Sequence, residues 1–391
     1  MTHLTLQILN PVRSVAFHPT APILATGSSD NTAKLWKLSD DNTSADCVAT
    51  LEGHSNWVQS VAFHPTQPLL ATGSSDATAK LWKLSDDNTS ADCVATLEGH
   101  DNIVYSVAFH PTASLLATGS QDKTVKLWKL DSDMTTSFCV ATLVGHSSIV
   151  YSVAFHPTMS LLATGSSDKT AKLWNLTNDN TSANCVATLT GHSSWIFSVA
   201  FHPTKPLLAT GSNDKTAKLW KLSPDNSSTK CVATLTNHTG AIRSLAFHPT
   251  ALFLATGGYD KTAMLWKLSD NDTPANCIKT LTGHDNSIWS IAFHPTEPFL
   301  ATGSLDGTVK LWNIRSYILS ALTNGENVQR FMLNREIGPR GSTTRPAWRG
   351  GKSIKKHRKY KSRMNNNTRK RKCRSMYTTR RKSHSLHRRS K

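Results

Sequence analysis

A histidine, a threonine and an aspartate stand together in His54, Thr72 and Asp76, with Trp82 a short way on. An imidazole held by a carboxylate and facing a hydroxyl is the equipment of nucleophilic hydrolysis. His and Asp are also metal ligands. The set recurs at a step of 46 residues, as His100, Asp122 and Trp128, His146, Asp168 and Trp174, and His192, Asp214 and Trp220. His238, Asp260 and Trp266, then His284, Asp306 and Trp312, complete it. A nucleophilic site is one asymmetric constellation with a free hydroxyl in a cleft. Copies at a fixed step argue for a repeated structural role, so no catalytic residue is expected. A metal fails on the same ground. The histidines His18, His64, His110, His156, His202, His248 and His294 also come once per repeat, too scattered to converge. No glycine motif cradles a phosphate, and no cofactor is expected.

The elements that position these residues are themselves copied. Seven tryptophans from Trp36 to Trp312 and seven aspartates from Asp30 to Asp306 keep the 46-residue step. So do six cysteines, Cys47, Cys93, Cys139, Cys185, Cys231 and Cys277. A period this long sets the architecture, because one unit cannot hide its apolar face without neighbours. Within the third unit four strands are predicted. Cys93 to Leu97 is rich in β-formers, and Glu98-Gly99-His100 breaks it. Val104 to Phe109 alternates, and His110-Pro111-Thr112 turns the chain. Leu115 to Gly119 is the third strand, Ser120 to Lys123 a tight turn, and Thr124 to Leu130 the fourth. Four strands per unit of this length is the blade of a β-propeller.

Gly-His, then Asp in a turn, then a strand ending in Leu-Trp resembles the WD-repeat family over residues 1 to 322. The resemblance implies an all-β, seven-bladed propeller of four-stranded antiparallel blades. Lys or Asn follows each of the seven tryptophans where the family often has Asp. It also implies a hydrogen-bonded set in each blade. Asp76 would accept from His54, whose other nitrogen reaches Thr72, which meets the indole N–H of Trp82, so that every donor is used. The first repeat departs most, with Ile8 where the histidine is expected, so its blade should be the loosest. Two segments are candidates for closing the ring, His3 to Ile8 and Tyr317 to Leu322. The family habit favours the first. Closure matters because an open ring exposes strand edges.

Near-identical repeats make their differences informative. Three positions vary most in chemistry. Two flank the start of the strand after Gly-His, as in Trp57 and Gln59, and the third precedes the turn aspartate. By the resemblance they point to one face around the central channel, the usual partner site. Its content is Arg13, Trp57, Tyr105, Tyr151, Trp195, Phe197, Arg243, Tyr259, Trp289 and Leu305. Aromatic rings and arginine are the substance of binding hot spots.

The 391 residues carry a net charge of +18, unevenly placed. Residues 335–391 hold 22 of the 44 Lys and Arg and one acid, for +21, and the rest of the chain is near −3. That tail cannot bury enough apolar surface to fold alone and is expected to be disordered behind a linker at 323–334. Three roles compete for it. The first is non-specific binding to RNA or DNA through phosphates. The second is nuclear import, through Lys355, Lys356, Arg358 and Lys359 or through Arg369, Lys370, Arg371 and Lys372. The third is solubility or the binding of an acidic protein. No membrane span or secretory leader is legible, and the expected compartment is intracellular and reducing, with the periodic cysteines as buried thiols. The reading is a non-enzymatic, monomeric scaffold that binds a protein or peptide on its aromatic face. The alternatives are a nucleic-acid-associated protein in which the tail is primary, and a substrate receptor of a ubiquitin ligase.

Overall fold

A computed structural model describes residues 2–131, 137–269 and 276–321. They form 28 strands in seven four-stranded sheets and one short helix. The linker expected at 323–334 and the tail at 335–391 lie outside them. No helix among the described residues is long and apolar enough to cross a membrane.

The first blade is β2 (Val12–Phe17), β3 (Ile23–Ser28), β4 (Ala33–Leu38) and β5 (Ala45–Leu51), hydrogen-bonded in that order from the inside outwards. Blades 2 to 6 repeat it over residues 58–97, 104–143, 150–189, 196–235 and 242–281. In the third unit the strands are Ala91–Leu97, Val104–Phe109, Leu115–Ser120 and Val125–Leu130, within two residues of the expected bounds. The seventh blade takes three strands from residues 288–313, and its outermost strand is β1 (Thr2–Gln7), which pairs antiparallel with Thr308–Asn313. The N-terminal segment therefore closes the ring.

The rival segment is not a strand. Arg315–Ala321 is a helix, α1. Asn313 Oδ1 accepts the Arg315 N–H at 3.1 Å, a side-chain turn just before the helix, and the Ile314 carbonyl accepts the first helical bonds. Ile314 and Ile318, one helical turn apart, are both buried in the cluster that holds Leu281 and Trp312. An apolar stripe at helical spacing outweighed the likeness of YILSAL to the outer-strand sequence CVATL.

The core lies between blades, not within them. Each of seven clusters joins two neighbours, and Leu6, Val12, Trp36 and Leu311 share the one at the seam of blades 7 and 1. Close approach needs a missing side chain. A Cβ on Gly119 would stand 2.9 Å from a methyl of Val150 and 2.9 Å from one of Val153 in the next blade. Gly303 meets Val12 and Val15 in the same way at the seam.

Two polar series stitch neighbouring blades. The innermost strands would leave backbone N–H groups unpaired, and a serine of the preceding blade takes one in each. Val61 N donates to Ser14 Oγ at 3.0 Å, Val107 to Ser60, Val153 to Ser106, Val199 to Ser152, Leu245 to Ser198 and Ile291 to Ser244. Val15 N donates to Ser290 at 2.9 Å across the seam. On the opposite face, each histidine of the His-Pro turns lies edge-on to the next blade's phenylalanine, from His18 on Phe63 round to His294 on Phe17. These imidazoles also hold their own turns. His202 Nδ1 accepts the N–H of Thr204 and of Lys205.

The cysteines correct the sequence reading. Cys47, Cys93, Cys139, Cys185 and Cys231 are exposed and Cys277 is half-buried. They sit on outermost strands, where the last residue, such as Leu51 or Leu97, is buried and most of the others are half-buried or exposed. The apolar character of CVATL serves β propensity on an edge rather than burial.

Gly119→Ala is expected to cost about 1–3 kcal/mol through overpacking at the blade junction, read as a lower urea midpoint with unchanged slope. A neutral substitution would mean that the blades are not in contact there.

Burial lowers the pKa of all seven turn histidines, and holds His248 and His294 at about 4. Protonation would also abolish the Nδ1 acceptor. The unfolded chain takes up protons from about pH 6.5 downward while the folded ring refuses them, so this stability is full above that pH and lost as pH falls toward the folded values. The melting temperature should drop steadily between pH 7 and pH 4.5. A flat profile would contradict the burial of these rings.

Candidate partner-binding face

The turns that follow each outermost strand and the turns before each Leu-Trp strand share one face. Backbone bonds join them, for example Ser75 N to Trp57 O and Tyr259 N to Ala241 O. The His-Asp sets hold the same pairs of turns together. His54 Nδ1 donates to Asp76 Oδ2 at 2.7 Å, its Nε2 accepts from the Thr72 hydroxyl at 2.7 Å, and Trp82 Nε1 donates to Thr72 at 2.9 Å. Equivalent bonds tie His100, Asp122 and Trp128, His146, Asp168 and Trp174, and His192, Asp214 and Trp220. They recur in His238, Asp260 and Trp266 and in His284, Asp306 and Trp312. Burial alone would raise the Asp76 pKa. Hydrogen bonds from His54 and Thr78 outweigh it and hold the carboxyl well below the usual range. The threonine hydroxyls of the sets, from Thr72 to Thr302, are fully buried, and each also accepts from a tryptophan N–H. Among the described residues no group of three or more His, Cys, Asp or Glu converges to hold a metal.

The first blade solves the missing histidine by substitution. Ile8 is buried, and Lys34 Nζ reaches Asp30 Oδ2 at 3.1 Å. The equivalent Lys80 bonds Thr96 on the outer strand instead. Thr26 still accepts from Trp36 at 3.0 Å, but that indole is 9% exposed against 2–4% for its six counterparts.

A second feature is invisible in the spacing. Each innermost strand carries a register shift at its start. Val12 pairs with Ser28 and Ser14 with Gly27, leaving Arg13 as the extra residue. The same shift isolates Gln59, Tyr105, Tyr151, Phe197, Arg243 and Trp289. A β-bulge takes a side chain out of the ladder and re-aims it. Here seven bulges aim one side chain per blade at the hub, and six of these form a continuous chain of contacts. Tyr105 meets Tyr151 at 4.9 Å between ring centres, and Tyr151 meets Phe197 at 5.0 Å. The Arg243 guanidinium lies 5.0 Å from Phe197, 5.6 Å from Tyr151 two blades away, and 4.7 Å from Trp289. Arg13 lies 4.5 Å from Trp289 and 4.1 Å from Trp57. Both guanidiniums thus stack on one indole. Gln59, the seventh, is buried and donates to Ser75.

Of the residues expected on the face, Trp57, Trp195 and Tyr259 are 44%, 45% and 39% exposed. Tyr105, Tyr151, Trp289, Arg13 and Arg243 are half-buried in the hub. Phe197 is buried, with Trp195 at 6.0 Å and Tyr259 at 6.0 Å. Tyr259 stacks on Trp289. Leu305 is half-buried in its turn, bonded through its backbone to Ser287. The tail residues Lys355, Lys356, Arg358, Lys359, Arg369, Lys370, Arg371 and Lys372 lie outside the described residues. Ser29, which accepts from Arg13 Nε at 2.7 Å, and Gln121, which accepts from the Tyr105 hydroxyl, belong to the same assembly. Their membership was signalled only by variation at their repeat position. Burial lowers the Arg13 pKa to about 10, the Arg243 charge adding to it, and burial raises Tyr151 to about 12.

Seven four-stranded blades in a closed ring, with tied turns and packed side chains at the hub, define a β-propeller. The chain belongs to the WD domain, G-beta repeat family, whose pattern matches residues 5–37, 45–83, 91–129, 137–175, 183–221, 229–267 and 275–313. Propellers of this family are generally non-catalytic interaction folds. No individual curated protein matches the chain.

Loss of the histidine should leave the first blade the least protected. Amides of β3 and β4 are expected to exchange faster than those of Leu161–Ser166 and Ala171–Leu176 in blade 4. Equal protection would mean that Lys34 replaces the imidazole in full.

Proposed function

We propose that the propeller is a non-enzymatic scaffold whose aromatic face holds a protein or peptide partner. The observation that supports it is the exposure of Trp57, Trp195 and Tyr259 in contact with the packed hub. Three large rings left in water on one face, continuous with half-buried aromatics and arginines, have the composition of a hot spot. Rigid blades hold them without a partner, so little ordering entropy remains to oppose binding.

The basic tail supports a second role. A charge of +21 within residues 335–391 suits phosphate contacts, whose strength falls steeply with salt. In this reading the face recruits and the tail retains the complex on RNA, DNA or an acidic protein. A primary nucleic-acid function and a ubiquitin-ligase receptor are the competing assignments.

One affinity experiment separates them. Trp57→Ala, Trp195→Ala and Tyr259→Ala together should strip the protein partners from the full chain and leave RNA retention intact. Deletion of residues 335–391 should do the reverse. Partners unaltered by the triple substitution would remove the face from the account, and RNA retention unaltered by the deletion would remove the tail.

A further inference from the structure

The hub holds two positive charges with no negative one opposite. Arg13 and Arg243 both stack on Trp289, and no ion pair among the described residues engages either. Their polar partners are neutral: the Ser29 hydroxyl for Arg13 and the Phe197 carbonyl, at 3.4 Å, for Arg243. Burial disfavours both cations, and the Arg243 charge disfavours that of Arg13 further. Nearby, Trp289 Nε1 is buried with no acceptor among the described residues. A buried donor or charge left this way costs stability unless something supplies the acceptor.

The face around the hub is electrically divided. Lys123, Lys169, Lys215 and Lys261 are exposed in the turns of blades 3 to 6, each in the left-handed region with φ between 66° and 73°. Blades 1, 2 and 7 have Asn31, Ala77 and Gly307 there. The acids beside the Gly-His turns are Glu52, Glu98, Asp101 and Asp285, in blades 2, 3 and 7, so that only blade 3 has both such acids and a turn lysine. Blades 4 to 6 thus present lysines with no acid beyond the half-buried turn aspartates Asp168, Asp214 and Asp260, which His146, His192 and His238 engage, on a face that also exposes Trp195 and Tyr259.

We propose that this half of the face takes an acidic peptide segment of a partner protein, which lays apolar side chains on Trp195 and Tyr259 and sends one carboxylate into the hub between Arg13 and Arg243. The proposal rests on the partner-binding reading above and names the chemistry of the partner. Charge complementarity chooses the occupant. The chain's own tail, at +21, is excluded by sign. A carboxylate brings the acceptors that the two forks and the indole N–H lack, and guanidinium–carboxylate pairing is the strongest bond open to them. The lysines set approach and orientation more than affinity.

The test is a random-peptide display selection against the full chain in physiological salt, followed by titration of the selected peptides by fluorescence anisotropy. Binders should be rich in Asp or Glu beside large apolar residues. Replacing one Glu by Gln in such a peptide should weaken it about tenfold or more, and Arg243→Gln should do the same. Arg243→Lys, which keeps the charge, should recover part of the loss, and matched melting curves show that each variant is folded. Adhesion to the tail is told apart because Arg243→Gln leaves it unchanged, and acidic peptides bound only in that way overturn the proposal. Peptides that lose binding on Trp195→Ala but carry no acid and ignore Arg243→Gln overturn it while leaving the face as the partner site. Peptides indifferent to Trp195→Ala would remove the face itself. A single-stranded oligothymidylate that binds through Arg243 where no acidic peptide is selected would overturn it in favour of a phosphodiester.

Discussion

Everything in this fold follows from the unpaired edge of the innermost strand. A four-stranded blade ends, at the hub, in backbone N–H groups that no fifth strand can take. Water cannot serve them where blades touch, so a neighbour must. The serine hydroxyls from Ser14 to Ser290 do so, one per junction, and the last accepts from Val15 N in the first blade. A hydrogen bond of this kind contributes about 1 kcal/mol net, but leaving its N–H unmet costs more. Such a requirement is cyclic. It is met at every junction only if the circle closes, which is why β1 crosses from one end of the chain to complete the other.

Closure at short range dictates the small residues. Glycines from Gly27 to Gly303 face valine or isoleucine methyls of the next blade, where a Cβ has no room. It also dictates the bulges. The strand that must offer an N–H sideways to its neighbour shifts register one residue earlier, and the extra side chain swings to the hub. That residue takes no part in the ladder or the stitching and is free to differ. It does differ, from Arg13 through Gln59 to Trp289, while almost everything else is copied. The same geometry that locks the ring therefore decides where recognition can be written.

Much of this was legible in the residue spacing. The step of 46 residues and the four strands of a unit follow from period and residue type, and the His-Asp-Thr-Trp sets and the candidate face from the family resemblance that those residues carry. The misses have physical causes. The cysteines were expected as buried thiols because free cysteine is among the most buried residue types, yet an outermost strand leaves most of its surface partly open. The segment from Tyr317 was a candidate strand because YILSAL resembles CVATL, but Ile314 and Ile318 are buried one helical turn apart. The rescue of Asp30 by Lys34 was hidden because the lysine is common to most repeats and only its rotamer changes. Phe197 was grouped with exposed rings by its repeat position, although a bulged residue lies deeper than Trp195 two positions earlier. Serine at the stitching position is constant in every repeat, so a comparison built on differences passed over it.

The seam is where the account is most exposed, because there the circle is closed by chain ends rather than by continuous sequence. Ser290→Ala removes the stitch between blades 7 and 1, and Ser106→Ala removes the same stitch between blades 3 and 4. Urea unfolding of the two variants side by side is the direct measurement. A closed ring predicts equal losses for both, about 1–2 kcal/mol each. A loss for Ser106→Ala with none for Ser290→Ala would show a ring that is open at its seam.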